Sequence, residues 1–495
     1  MIDVLRENMA PIMFGGLVLF LLIGYPAAFS LAAVGLFGGL AAIELGLIAP
    51  NFLGNLTYQL YGVLSNELLL AIPFFTFMGV ILEKSGLAED LLDGFGQLFG
   101  GLRGGLSYAV IIVGAILGAI TGTVAASVIA MGLISLPVMM RYGYSVRHAT
   151  GVIAASGTIT QLIPPSLVLI VLADQLQRSP GEMYIGATGA SIVQVLLFMG
   201  WVFILSIFRP EDVPALPPEA RTLRGWPLWA KIIRGTVPSL ALIFIVLGTI
   251  LLGLVTPTEA GAMGVVGALL LAWFNGRLSW RVTWEGMVST MRLTAMVVFI
   301  LLGARVFTLV FQGVGGGHWI ENMLTNLPGG VVGFLIFTNI FIFFLAFFLD
   351  FFEIAFIVIP LLAPVADSLG IDLVWFGVMI CANMQTSFMH PPFGFALFYL
   401  RGIVPRDQVK TTDIYMGAIP WLVLQLILVG LLIAFPEMVT YFLDRGPEVD
   451  LSTVQIVLPP AGGDVTAPPV FSAPPAPNFG TPPEPVFTPP PAPAF

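Results

Sequence analysis

Apolar stretches of about 20 residues, each long enough to cross a hydrocarbon core roughly 30 Å thick, recur along the chain as far as residue 436. A chain with this pattern is confined to folds whose backbone polar groups are satisfied within the bilayer. The stretches lack the strict alternation of apolar and polar residues that a transmembrane β-barrel needs, so helices are expected. Charge supports this reading. Only 9% of residues are Asp, Glu, Lys or Arg, against about 25% in a typical soluble domain. No polar stretch is long enough for a separate soluble domain. The expected fold class is an all-α polytopic membrane protein in a lipid bilayer.

The rarer residues exclude several chemistries. The one cysteine, Cys381, lies in an apolar segment, so neither an intramolecular disulfide nor a thiolate metal cluster is expected. His148, His318 and His390 are far apart and form no HExxH or HxxxH pattern. Redox, haem and zinc functions are not expected, nor is a nucleic-acid partner. The net charge of -9 comes largely from loops and an acid-leaning C-terminal stretch. No cleavable signal peptide is expected, because the first apolar run continues into another span without a small-residue cleavage pattern.

Hydropathy marks segments at 9–23, 27–49, 68–82, 107–139, 149–173, 185–208, 236–256, 258–274, 293–312, 331–365, 374–400 and 414–436. Segments 107–139 and 331–365 are too long for one span and short for two with a loop. Both read as re-entrant hairpins. Arg103, Arg141 and Arg147 flank the first, so it is expected to open to the cytoplasm. The linker 209–235, with Arg209, Arg221, Arg224, Lys231 and Arg234, is expected on the same side. The second hairpin is flanked by 313–330 and 366–373, which carry no Lys or Arg, and is expected to open outside. Arg401, Arg406 and Lys410 return the chain to the cytoplasm. Ten spans, two oppositely facing hairpins and both termini outside follow.

This arrangement implies an inverted repeat. At a shift of 227 residues, Pro137 falls on Pro364, Gly143 on Gly370, and Pro164-Pro165 on Pro391-Pro392, without gaps. The first repeat is expected over 1–208, with hairpin 107–139 and broken helix 149–173. The second is expected over 236–440, with hairpin 331–365 and broken helix 374–400. The linker 209–235, carrying Pro210, Pro214, Pro217 and Pro218, divides them. Connectors 83–106 and 313–330 are partly amphipathic and suit arm helices in the interface. Residues 446–495 are Pro-rich and expected to be disordered and extended.

Broken helices in inverted repeats mark the binding sites of secondary transporters. Exposed N–H groups at helix starts favour anions, and freed carbonyls at helix ends favour cations. Four elements are candidates. The first is the tip Gly118-Ala119-Ile120-Thr121-Gly122-Thr123, whose small residues suit either a tight reversal or plain close packing. The second is the polar run Ser156, Thr158, Thr160 and Gln161 before Pro164-Pro165, which removes two N–H donors. The third is its repeat mate: Asn383, Gln385 and Ser387 before His390-Pro391-Pro392-Phe393-Gly394. The fourth is Asp350 with Glu353, since acids at membrane depth are costly and usually functional. His390 either titrates or, preferred here, is a hydrogen-bonded residue packed by the break. Arg305 either pairs with Asp350 or Glu353, the preferred reading, or helps to hold a substrate carboxylate. Thr121, Thr160, Gln161, Ser387 and His390 are the other expected substrate contacts.

Ile72-Pro73-Phe74-Phe75, the Thr121-Gly122-Thr123 tip, the stretch from Ala154 to Ser166, Thr256-Pro257-Thr258-Glu259-Ala260 and His390-Pro391-Pro392-Phe393-Gly394 together resemble one family. It is the large membrane subunit of tripartite ATP-independent periplasmic (TRAP) transporters, and the resemblance covers about residues 5–440. It implies Na⁺-coupled uptake of an organic acid through a bacterial inner membrane by an elevator-type transporter. A periplasmic substrate-binding protein would deliver the acid, and a small four-helix membrane subunit would associate. It implies one Na⁺ near Thr121, Gly122, Thr123, Ser156, Thr158 and Pro164, and another near Asp350, Asn383, Gln385, Ser387, Pro391 and Gly394. The sequence departs from the commonest pattern at Phe351-Phe352-Glu353. With Arg305 and Tyr399-Leu400-Arg401-Gly402, this resembles a subgroup linked to keto acids, mannitol or chloroaromatics, which points towards a 2-keto acid. The competing functions are a stand-alone Na⁺/carboxylate symporter and a Na⁺/H⁺ antiporter using Asp350 and Glu353. A membrane enzyme is not expected, because no nucleophile–base pair is evident.

Overall fold

The computed structural model describes residues 2–121, 124–390, 394–404 and 408–443. Gly122, Thr123, Pro391, Pro392, Phe393, Arg406 and the Pro-rich stretch 446–495 lie outside the described residues, as does the side chain of Thr121. The described residues form helices and no strands. In chain order these are α1 (Ile2–Glu7), α2 (Met9–Ile23), α3 (Ala27–Glu44), α4 (Asn55–Leu64), α5 (Ala71–Lys84), α6 (Leu87–Phe99), α7 (Gly105–Thr121) and α8 (Val124–Arg141). There follow α9 (Val146–Thr158), α10 (Leu167–Leu176), α11 (Pro180–Phe208), α12 (Trp226–Leu251), α13 (Pro257–Phe274), α14 (Trp280–Gly313), α15 (Gly316–Thr325) and α16 (Gly330–Leu345). The last are α17 (Phe351–Glu353), α18 (Ile359–Ser368), α19 (Leu373–Met384), α20 (Phe395–Ile403), α21 (Thr411–Ala434) and α22 (Glu437–Thr440). A π-turn at Ile354–Val358 joins α17 to α18, so 351–368 is one continuous helical run.

Eight helical stretches are long and apolar enough to cross a membrane, or up to ten if each bent helix pair counts as one span. One such pair, α15 with α16, turns through 115°. The 227-residue shift is visible in the elements themselves. Val124–Arg141 falls on Phe351–Ser368, and the starts of α9 and α19 coincide. The short helices after the breaks, α10 and α20, overlap to within one residue at their starts.

Three boundaries differ from hydropathy. Helix α14 begins at Trp280, well before the marked segment 293–312, because its first turns carry Trp280, Arg281, Trp284 and Glu285. Those turns are helical all the same: Arg281 Nε donates to Glu285 Oε1 at 2.9 Å, and Lys84 of α5 also pairs with Glu285. Helix α12 begins at Trp226, inside the expected linker. Helix α4 falls outside the marked segments because its Asn55, Thr57, Tyr58 and Gln59 dilute the hydropathy.

The packing that matters for the site is between α7, α8 and α9. A Cβ on Gly114 would lie 2.9 Å from the Ser156 carbonyl oxygen, and one on Gly118 would lie 2.9 Å from Thr160 Cα. Small residues one turn apart therefore let the backbone of α7 lie flush against the end of α9. From the opposite direction Gly157 meets Val128 of α8, where a Cβ would sit 2.2 Å from Cγ2. The break after α9 is clamped between both helices of the 107–139 segment.

Candidate transport site

Each break is built from hydroxyls that hydrogen-bond one turn back. In the first, α9 tightens into a 3₁₀ turn at Ile159–Gln161. Thr158 Oγ1 donates to the Ala155 carbonyl at 2.8 Å and Thr160 Oγ1 to the Gly157 carbonyl at 2.9 Å. Such bonds compete with continuation of the helix, and Pro164 and Pro165 then supply no N–H to resume it. Ser166 restarts the chain as α10: its hydroxyl donates to the Gln161 carbonyl at 2.5 Å and accepts from Val168 N at 3.2 Å. Cys381 of α19 also donates to the Gln161 carbonyl, at 3.4 Å, so the second half of the chain touches the first break.

The second break repeats this chemistry. α19 passes into a 3₁₀ turn at Gln385–Phe388, with Thr386 Oγ1 donating to Asn383 O and Ser387 Oγ to Met384 O, both at 2.7 Å. Gly394 precedes α20, and its N–H donates to the His390 carbonyl at 3.0 Å. Asn383 is held by Asn339 of α16: its Nδ2 donates to the Asn339 backbone carbonyl at 2.8 Å and side-chain oxygen at 3.0 Å. Ser156, Thr158, Thr160, Gln161, Asn383, Gln385, Ser387 and His390 are all buried.

Two glutamines missing from the sequence reading cross between the halves. Gln425 of α21 donates through Nε2 to Thr158 Oγ1 at 2.8 Å. Gln194 of α11 and Gln385 exchange a pair of amide hydrogen bonds, with Gln385 Nε2 to Gln194 Oε1 at 3.2 Å. Thr158 and Gln385 are repeat mates, and each takes its partner from the long helix of the other half. The available signal was a lone glutamine in an otherwise apolar helix. Gln385, expected as a cation ligand, thus has its amide engaged. The side-chain oxygens of Ser156 and Asn383, also repeat mates, are buried without any hydrogen-bond partner among the described residues.

Between the breaks lies a cavity of about 280 Å³. The first turns of four helical runs reach its wall, through Val124 and Ala125, Leu167 and Val168, Phe351 and Phe352, and Phe395. Helix starts carry partial positive charge that suits an anion, although Ser166 Oγ already accepts from Val168 N and Asp350 Oδ1 from Glu353 N. Gln161 lines the same wall, and its Oε1 has no partner among the described residues. Asp350 is there too, held in a capping box: its Oδ1 accepts from Glu353 N at 2.8 Å, and Glu353 Oε2 accepts from Asp350 N at 2.9 Å. Phe388 and Tyr399 complete the inner wall, and α14 contributes Leu293 and Met296.

Several expected substrate contacts are elsewhere. Thr160 and Ser387 turn their hydroxyls to backbone carbonyls and do not line the cavity. His390 is packed by aromatic rings, stacked on Phe347 at 3.9 Å and edge-on to Phe343 at 5.1 Å. Neither of its ring nitrogens has a side-chain partner among the described residues, so the expected role as a hydrogen-bonded residue gives way to packing by aromatic rings. Arg305 forms no pair with Asp350 or Glu353. It lines a separate cleft with Asp174, Arg178 and Asp367, and among the described residues it belongs to no ion pair within 4.0 Å. The expectation failed because proximity in sequence does not place Arg305 on the cavity end of α14, where Leu293 and Met296 stand. The described residues hold no cluster of three or more His, Cys, Asp or Glu able to bind a metal.

Fold and site together define a multi-span helical membrane permease with two broken helices around one cavity. Residues 14–438 match the family described as the DctM component of tripartite ATP-independent periplasmic transporters, and the chain belongs to that family. It is 31% identical to the C4-dicarboxylate TRAP transporter large permease protein DctM of Pseudomonas aeruginosa, over 80% of this chain and 90% of that protein. It is 30% identical to the Rhodobacter capsulatus protein of the same name, over 87% of this chain and 96% of that one. The fold is also similar to the crystal structure of the Alcanivorax borkumensis YdaH transporter, with a TM-score of 0.54 and 16% identity. That likeness covers 87% of this chain and 98% of that one.

Proposed function

We propose that this permease moves an organic acid inward across a bacterial inner membrane together with Na⁺. A periplasmic substrate-binding protein would hand over the acid, and a small membrane subunit would complete the complex. The cargo occupies the cavity between the breaks, where the helix starts on its wall and Gln161 meet its carboxylate. The C4-dicarboxylates named for two relatives support an acidic cargo. The small volume and largely apolar wall suit a compact acid such as a 2-keto acid.

The observation that carries the coupling is the pair of orphan oxygens. Ser156 Oγ and Asn383 Oδ1 are buried without partners at equivalent places in the two breaks. A buried unpaired polar group costs about 1–3 kcal/mol, and a bound cation relieves that cost. Asp350 adds a carboxylate on the cavity wall beside the second break. An elevator movement, in which the hairpin elements carry the cavity, is supported by the contribution of α14. That helix meets the cavity through Leu293 and Met296 alone, an apolar surface without hydrogen bonds to break.

The test is uptake of radiolabelled 2-keto acids and C4-dicarboxylates into proteoliposomes containing the permease, the small subunit and the binding protein. Accumulation should follow an inward Na⁺ gradient. Equal accumulation on a proton gradient without Na⁺ would overturn the coupling.

A further inference from the structure

We infer that the cleft around Arg305 is an outer anion site, where the carboxylate of the cargo docks on its way to the inner cavity. This rests on the reading of that cavity as the cargo site. The cleft has a volume of about 510 Å³ and is lined mostly by polar side chains.

Three helical runs lead from the cavity to the cleft. α10 lines the cavity with Leu167 and Val168 and the cleft with Asp174, Gln175 and Leu176. α14 does so with Met296 and then Arg305, and the 351–368 run with Phe352 and then Pro360. At 1.5 Å per helical residue these steps are roughly 9–14 Å. The cleft is therefore a vestibule on shared walls. Arg178 bridges it to Asp367 at 3.9 Å, which ties the 174–178 segment to the 366–373 segment expected to face the periplasm.

The charges in the cleft are unequally engaged. Asp174 accepts from Asn66 Nδ2 and from Gln175 Nε2, both at 2.7 Å. Asp367 faces Arg178. Arg305 has no ion-pair partner among the described residues, so its planar fork is open towards the cleft. A guanidinium in that state suits bidentate capture of a carboxylate.

The test uses the permease with its small subunit in a Cys381→Ser/Thr308→Cys background, since Thr308 also lines the cleft. Anionic sulfonatoethyl and cationic trimethylammonioethyl methanethiosulfonates report the local field through their ratio of labelling rates. Arg305→Gln should lower the anionic-to-cationic ratio on the order of tenfold, and Arg305→Lys should largely preserve it. Pyruvate or succinate should slow anionic labelling when Arg305 is present and not in Arg305→Gln. An unchanged ratio in Arg305→Gln, or no protection by either acid, overturns the outer site. Gln161→Ala separates the two claims. It should abolish uptake into proteoliposomes that also contain the binding protein while leaving the labelling ratio intact. Normal uptake by Gln161→Ala with a field still set by Arg305 would sink the inner-cavity reading instead.

Discussion

Gln425 donates a hydrogen bond to Thr158 across the two halves of the chain at 2.8 Å, and the repeat mate of Thr158, Gln385, is met in turn by Gln194. The long helices α11 and α21 are thus each bound to the break of the opposite half. Hydrogen bonds of this kind help to fix the register of these long helices among largely apolar neighbours.

That relationship gives the first prediction. Gln425→Leu and Thr158→Val should each destabilise the protein, and the double variant should be less destabilised than the sum. A coupling of roughly 0.6 kcal/mol is the average for polar pairs within membrane proteins. Thermal unfolding in detergent of the four members of the cycle measures it, and strict additivity would show that the contact contributes nothing.

The second prediction concerns close packing. Gly118→Ala drives a Cβ against Thr160 Cα, and Gly114→Ala against the backbone of Ser156. Neither backbone can move aside without disturbing the break. Each variant should lose about 1–3 kcal/mol and most of its transport. Gly200→Ala in α11, with nothing within 4 Å of the new methyl, is the control and should be neutral. The melting temperatures and uptake rates of the three variants decide the point.

The third prediction concerns the capping box. Asp350→Ala removes the acceptor for Glu353 N and should cost about 1 kcal/mol. Asp350→Asn keeps the cap and should keep the melting temperature, yet it should weaken transport, because the charge beside the second break is gone. If Asp350→Asn transports normally at limiting Na⁺, the carboxylate serves only as a cap. Glu353→Gln also preserves the box and should be active. Loss of activity in it would revive an ionisable role for Glu353.

Much of this fold was legible in the sequence because it rests on local rules. Apolar length gave the helices, and Pro164-Pro165 with the hydroxyl runs gave the breaks. The 227-residue shift located on Phe351–Ser368 the same helical run as Val124–Arg141. What was not legible depends on which turn of a helix meets which space. Arg305 and Met296 lie on one continuous helix yet line different spaces. Sequence distance alone paired Arg305 with Asp350. Nothing in the sequence sets Phe388, Phe395 and Leu293 apart from other apolar residues, and only their convergence makes them walls of a cavity. Gln194 and Gln425 were visible as isolated polar residues, but their partners come from more than 190 residues away.

The central claim is that the paired orphan oxygens of Ser156 and Asn383 hold Na⁺. Ligand binding to the folded state alone raises stability by RT ln(1 + [L]/Kd). The direct measurement is the melting temperature of the purified permease complex against NaCl concentration, with choline chloride holding ionic strength constant. The native protein should gain stability with Na⁺. Ser156→Ala and Asn383→Leu should each lose part of that gain, and the double variant should lose nearly all of it, on a baseline in choline lowered by the lost Asn383–Asn339 hydrogen bonds. A double variant that keeps the full Na⁺-dependent shift would contradict the assignment.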